Sequence, residues 1–121
     1  MNVPRHKYNP IDTSIVQRMT RKESPKLDKV GHIRKIIRDI TGYDPYMDPS
    51  YRGTKYVTSR QLFLYFVHHY AGFNQTDAAT ILGKDHSTVV HACNKVEQFR
   101  KIETSYKDNF DKILFLVKQI N

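Results

Sequence analysis

Residues 74–96 read NQTDAATILGKDHSTVVHACNKV, and this order predicts two short helices joined by a very tight turn. Asn74 is a good helix-capping residue, with Asp77 three positions on in an arrangement close to a capping box. Gly83 is suited to end the first helix, and Asp85 is a cap candidate for the second. Two short helices joined in this way follow the helix-turn-helix plan.

The second helix is predicted to present an apolar face and a polar face. Its apolar residues recur on one side in three- and four-residue steps: Val89, Ala92, Cys93, Val96 and Phe99. The apolar residues that lie between the polar positions up to Lys95, Val90 among them, are all assigned to the core. The N-terminal residues of the second helix in such a motif enter the DNA major groove. The residues offered there are Lys84, Asp85, His86, Ser87 and Thr88, with His91 and Lys95 one and two turns further on.

These side-chain types suit the reading of base edges. An aspartate such as Asp85 can accept a hydrogen bond from the exocyclic amine of cytosine, and His86 can donate or accept. Ser87 and Thr88 can bond base edges or phosphates. Helix capping alone would also explain Asp85, and the sequence leaves that alternative open.

The rest of the chain predicts an all-α fold, a compact helical bundle of about five to six helices. An apolar stripe marks one helix from Lys26 to Thr41, ended by Gly42, and another over about Glu103–Ile120. Residues 43–57 are predicted to form a structured loop with room for one helical turn, after which Thr58 or Ser59 caps a helix through Ala71. The run LFLYFVHHY in that helix is apolar nearly all round, so its length and setting, not its periodicity, favour helix over strand.

The distribution of charge and of prolines divides the chain into two parts. Residues 1–25 are predicted to be a basic N-terminal arm or linker, with room for a short helix from Asp12 to Met19. Residues 26–121 are predicted to be a DNA-binding domain. The net charge is +8, and residues 1–38 hold ten of the 20 Lys and Arg. Such a charge favours polyanionic partners, while a solvated basic tail is the alternative for the arm.

Several classes of protein are not indicated. The single cysteine, Cys93, excludes an intrachain disulfide and is interpreted as a buried structural thiol. No apolar run approaches the length of a membrane span, and the N-terminus lacks the apolar stretch of a signal peptide. We therefore expect a cytoplasmic protein with no membrane partner, no cofactor, no metal and no small-molecule substrate.

The segment GKDHSTVVHACNKV resembles the signature of the C-terminal DNA-binding domain of the bacterial replication initiator DnaA. The preceding SRQLFLYFVHHYAGFNQTDAATIL is similar to the helix and the first helix-turn-helix element of that domain, and a weaker likeness extends back to about Leu27. The resemblance implies a protein that binds double-stranded DNA in replication initiation or its regulation, with a replication initiator or other replication protein as a further partner.

The resemblance also implies roles for particular residues. The run Asp85, His86, Ser87 and Thr88 matches the part of the family motif that reads the major groove. Lys84, His91 and Lys95 match further DNA contacts of the family. Arg52 matches the family's minor-groove arginine, in the loop before the third helix, and Lys55 is a further candidate in that loop. Arg60 matches a residue that is suited to hold a phosphate.

The chain departs from the family pattern at three points. Gly83 stands where the family usually has two glycines, and Asn94 stands where it usually has arginine. No G-x-x-x-x-G-K-[ST] phosphate loop occurs, so we expect no ATPase domain in this chain.

Two other classes of function remain as alternatives. An enzyme is disfavoured because His86 and His91 are five positions apart and no cysteine or carboxylate cluster completes a metal site with the paired His68 and His69. A protein–protein interaction module, or a transcriptional regulator built on the same fold, is the stronger alternative.

Overall fold

A computed structural model describes residues 24–46 and 53–120 of the 121-residue chain, with side chains described from Leu27 onwards. Within these ranges the chain forms five helices and no strand: α1 (Ser24–Thr41), α2 (Thr54–Tyr70), α3 (Gln75–Ile81), α4 (His86–Ile102) and α5 (Thr104–Lys118). The all-α prediction and the approximate number of helices are confirmed. The predicted arm over 1–25, including the short helix at Asp12–Met19, lies almost entirely outside the described residues.

Helix α2 forms the centre of the bundle and packs against each of the other four helices. Every residue from Leu62 to Val67 is buried, which explains why this stretch shows no amphipathic periodicity. Phe66 and Phe110 are fully buried, with ring centroids 5.2 Å apart, and they join α2 to α5. The ambiguous LFLYFVHHY run is therefore a buried helix.

The predicted start of α2 was wrong by about one turn. The helix begins at Thr54, with Gly53 as its N-cap residue, and not after Thr58 or Ser59. Tertiary contacts hold this extra turn: the Tyr56 ring packs edge-on against Tyr43 at 4.8 Å, and the buried Ser59 hydroxyl donates to the Tyr43 carbonyl at 2.6 Å. Local sequence gives little sign of these contacts, because Tyr43 lies in a different segment of the chain.

The outer helices bury one stripe each. In α1 the buried residues include Ile33 and Ile37, and in α5 they are Phe110, Ile113 and Val117. α1 ends as predicted at Gly42, whose φ of 82° reverses the chain. Both helices are thereby held against α2, leaving α3 and α4 to form the other side of the bundle.

A bidentate ion pair connects α1 to the segment that follows it. Arg34 donates from Nε and Nη2 to the two carboxylate oxygens of Asp44, at 3.0 and 2.7 Å, and its guanidinium lies 4.0 Å from the centre of the Tyr46 ring. Burial alone would raise the pKa of Asp44, but the hydrogen bonds from Arg34 and from the Tyr46 N–H hold it below its ordinary value. This pair positions the chain as it leaves the first helix.

None of the helices in the described ranges combines the length and the apolar character that a membrane crossing requires.

Candidate nucleic-acid interface

The turn between α3 and α4 is held by two backbone hydrogen bonds, and its backbone angles favour a glycine. The Gly83 N–H donates to the Thr80 carbonyl at 3.0 Å, and the Lys84 N–H donates to the Ala79 carbonyl at 2.9 Å. This is the Schellman pattern, in which the residue after the helix cap adopts left-handed backbone angles. Gly83 has a φ of 67°, a left-handed backbone angle that glycine adopts readily because it has no Cβ. The predicted helix stop is confirmed.

The start of α3 also follows the sequence prediction. Asn74 occupies the N-cap position, and its side-chain oxygen accepts a hydrogen bond from the Asp77 N–H at 2.8 Å. Ala78, Ala79 and Ile81 are buried, so this short helix packs closely against α4 through small side chains. Because α3 is fixed at both ends, the tight turn places the first residues of α4 in a defined position.

The polar residues predicted as the reading site lie together at the beginning of α4. Lys84 and Asp85 precede the helix, His86 and Ser87 open it, and all four side chains are exposed. His91 is exposed one turn further along, while Thr88 and Lys95 are partly buried towards the side of the helix. The site thus presents cationic, donor and acceptor groups on one helix end.

Asp85 occupies the N-cap position of α4, but its carboxylate makes no capping hydrogen bond. The Thr88 N–H instead donates to the Asp85 backbone carbonyl at 3.0 Å. The side chain is exposed, so its oxygens point to solvent and can accept hydrogen bonds from another molecule. The capping explanation for this aspartate therefore finds no support in the geometry.

The opposite face of α4 anchors the helix. Val89, Ala92 and Val96 are buried as predicted, and they pack towards α2 and α3. Cys93 is half-buried at the edge of this core, and burial together with the nearby Glu97 carboxylate raises the pKa of its thiol to about 11. A thiol of that pKa stays protonated near neutral pH, which fits the predicted structural role.

A shallow groove between α2 and α4 brings Arg60 to the site. Its walls include Arg60 and Gln61 from α2 and Lys84, Thr88 and His91 from the turn and α4. Arg60 and Lys84, which are 24 positions apart in the sequence, therefore contribute cationic side chains to one depression beside the exposed start of α4. Gln61 adds an amide that can donate and accept hydrogen bonds.

Lys55 is not brought to this groove. Lys55 is exposed in the first turn of α2, where it lines a separate depression with Tyr43 and Tyr106. Its ammonium lies 5.9 Å from the centre of the Tyr43 ring. It is helical and not part of a loop, contrary to the predicted boundary. Arg52 lies outside the described residues.

The two adjacent histidines of α2 make contacts within the fold. His68 Nδ1 lies 2.8 Å from the Phe73 carbonyl oxygen, and the His69 ring packs 4.4 Å from the centre of the Tyr65 ring. Within the described ranges no three His, Cys, Asp or Glu side chains are grouped so that they could hold a metal ion.

The sequence prediction assigned every apolar residue between the polar positions of α4 to the core, and for Val90 this was wrong. Val90 is 38% exposed and lies on the outer face with the polar residues. Its position four residues after His86 was the available signal, because residues four apart share a helix face. The faces of α4 are therefore not cleanly split into polar and apolar.

Comparison with protein families identifies the helix-turn-helix segment. The family model described as the bacterial dnaA protein helix-turn-helix matches residues 45–96, which include all of α2, α3 and the first three turns of α4. The match thus covers the groove, the tight turn and the exposed start of α4.

Three curated relatives are each named chromosomal replication initiator protein DnaA. The protein of Lachnoclostridium phytofermentans is 36% identical over 77 residues, covering 63% of this chain and 16% of its own length. The protein of Bacteroides fragilis is 26% identical over 116 residues, covering 92% of this chain and 24% of its own length. That of Bacteroides thetaiotaomicron is 30% identical over 69 residues, covering 56% of this chain and 15% of its own length.

The chain therefore spans a quarter or less of the length of these relatives. No solved structure matches it significantly. The helical architecture and the turn at Gly83 agree with the family match, and residues 45–96 are similar to the bacterial dnaA protein helix-turn-helix family.

Proposed function

We propose that this chain binds double-stranded DNA with a sequence preference and places the beginning of α4 in the major groove. The observation that carries the proposal is the cluster of exposed polar residues at that helix end, held by a glycine turn within a segment that matches the DnaA helix-turn-helix family model. A helix fixed at its N-terminus by a tight turn presents the same few side chains to every DNA site. No catalytic step forms part of the proposal.

Asp85, His86 and Ser87 are the proposed base-reading residues. The Asp85 carboxylate is exposed and makes no capping bond, so it is available to accept from the amine of a cytosine. His86 and Ser87 can donate to or accept from neighbouring base edges. Thr88, partly buried beside the groove, is better placed for a phosphate or for a thymine methyl at the edge of the contact.

The cationic residues around the groove are the proposed phosphate contacts. Arg60 and Lys84 lie in one depression, and His91 extends it along α4. Lys95 lies one turn beyond His91 on the same helix. Arg52, which matches the family's minor-groove arginine, is proposed as a minor-groove contact. The exposed Lys55 is proposed as a contact outside this groove.

The biological setting that we propose is replication initiation or its regulation. The support is that the three relatives are all named as chromosomal replication initiators. If the proposal holds, this chain and a DnaA protein should compete for a shared duplex. An equilibrium competition assay that shows independent binding to every duplex tested would contradict this part of the proposal.

The decisive experiment is a selection from random DNA duplexes with the wild type and with Asp85→Ala and His86→Ala. Each substitution should relax the preference at one or two base positions, at a cost of about 1–3 kcal/mol on the wild-type site. The matched control is Asp108→Ala, which removes an exposed aspartate from α5 and should leave the selected sequence unchanged. Unchanged affinity and preference in both α4 variants would show that this helix end does not read DNA.

A further inference from the structure

One exposed side chain on α4, the proposed reading helix, is apolar. Among the described residues four large hydrophobic side chains are exposed: Val90, Ile102, Phe115 and Leu116. Ile102 ends α4, and Phe115 and Leu116 belong to α5, whereas Val90 lies in the second turn of α4 beside the proposed base-reading residues. Val90 therefore differs from the other three in its place in the fold.

Helix geometry places Val90 on the outer face, in a direction between those of His86 and Asn94. At 100° per residue, the buried Val89 and Val96 point in nearly the same direction, and Val90 and Asn94 point away from the core. Val90 lies one turn after His86 and three residues after Ser87, so the three side chains form a contiguous surface. A surface that contacts base edges through His86 and Ser87 must also bring Val90 against the groove floor.

An isopropyl group can recognise only an apolar feature of that floor. In the major groove, thymine alone among the four bases presents an apolar group, its 5-methyl, whereas cytosine carries only a hydrogen at C5, with its hydrogen-bonding 4-amine beside it. Packing two methyl-bearing groups together removes apolar surface from water, whereas covering the amine with valine would leave a donor without a partner.

We propose that Val90 is a specificity-determining residue that selects a thymine by packing against its 5-methyl group. This inference rests on the proposed function, because it requires α4 to lie in the major groove. It extends that function by adding an apolar contact to the polar reading set and by naming the base that the contact selects.

The test couples a protein change to a single-methyl change in the DNA. Each thymine of the selected wild-type site is replaced in turn by deoxyuridine, which removes only the 5-methyl, and affinities are measured for the wild type and Val90→Ala. At one position, the deoxyuridine change should weaken wild-type binding by about three- to tenfold, the order expected for a lost methyl contact. The same change should weaken Val90→Ala binding less than about twofold, as a double-mutant cycle requires of a direct contact.

Ile102→Ala provides the matched control. It shortens an exposed aliphatic side chain on the same helix, 74% exposed at the far end from the reading residues, and should retain the full deoxyuridine penalty. Val90→Thr provides a second variant that keeps the β-branched shape, and it should show an intermediate penalty. Both Val90 variants should melt close to the wild type, because the side chain is not part of the core.

Two outcomes would overturn the inference, and they are distinguishable. If the wild type has a preferred site but Val90→Ala keeps every deoxyuridine penalty, the Val90 contact is wrong and the proposed function stands. If the wild type selects no preferred site, the reading-helix proposal fails, and the Val90 inference fails with it.

Discussion

At the scale of single residues, two helix-start positions that look alike in the sequence behave differently. Asn74 and Asp85 both occupy N-cap positions, but only Asn74 makes the side-chain hydrogen bond to the helix backbone. A cap that bonds the backbone contributes to folding, whereas an exposed carboxylate without that bond is available to a ligand. We therefore expect Asn74 to act in stability and Asp85 in the proposed DNA binding.

Urea unfolding should separate these two roles. Asn74→Ala should lower the free energy of unfolding by about 1 kcal/mol, because the Asp77 N–H loses its acceptor. Asp85→Ala should cost no more than half as much, while it relaxes DNA preference. An equal or larger loss of stability from Asp85→Ala would mean that its carboxylate does cap α4 in solution.

The Asp44 carboxylate should make folding sensitive to acid. Its pKa is lowered in the folded chain, so its contribution to stability is present above the ordinary value of 3.8 and is lost as the pH falls through the lower folded value. The urea midpoint of the wild type should therefore fall more steeply below about pH 4 than that of Asp44→Asn. Parallel pH profiles for the two proteins would contradict this role of the Arg34–Asp44 pair.

At the scale of elements, the turn between α3 and α4 decides how the reading helix is presented. The Schellman bonds at Gly83 and Lys84 hold the short connection, and only residues 82–85 lie between the end of one helix and the start of the next. The family pattern has one more glycine here, and the single glycine of this chain still completes the motif. The position of α4 therefore depends on one residue with a positive φ.

Gly83→Ala should destabilise the fold by about 1 kcal/mol, because a Cβ is disfavoured at a φ of 67° even though no neighbouring atom obstructs it. The control is Gly31→Ala within α1, where a Cβ also meets open space but the backbone is helical. That change should stabilise the chain by about 0.5–1 kcal/mol. Chemical denaturation of both variants tests the pair, and a neutral Gly83→Ala would show that the turn relaxes.

At the scale of the whole molecule, the charge of +8 should govern affinity for DNA. Lys84 lies beside the beginning of α4, whereas Lys107 on α5 is paired with Asp111 at 2.8 Å. An unpaired cation that contacts a phosphate releases counterions, and a cation held in an ion pair away from the contact does not.

Salt titrations of DNA binding should reveal this difference. Log K should fall linearly with log salt concentration, and Lys84→Gln should reduce the magnitude of the slope by about one. Lys107→Gln, in the first turn of α5, should leave the slope unchanged. A wild-type slope near zero would contradict phosphate binding and would favour the alternative of a protein-interaction module.

Most of the helices and much of the candidate site were predictable from local patterns. Apolar periodicity predicted α1, α4 and α5, and the chemistry of Asn74 and Gly83 predicted both ends of α3. Local patterns did not predict the first turn of α2, since that turn depends on Tyr43 packing against Tyr56. The exposure of Val90 was missed because its residue type was taken as evidence of burial.

The sequence by itself determined the helical class, the helix-turn-helix and the polar residues that begin its second helix, because caps, glycine turns and periodicity act between neighbours in the chain. Only the tertiary structure decided which side chains share a surface. It joined Arg60 and Gln61 to Lys84 across the groove, kept Lys55 apart, freed the Asp85 carboxylate from capping and exposed Val90. These outcomes follow from how α2 and α4 pack against each other, and packing between distant segments is not encoded in any local pattern.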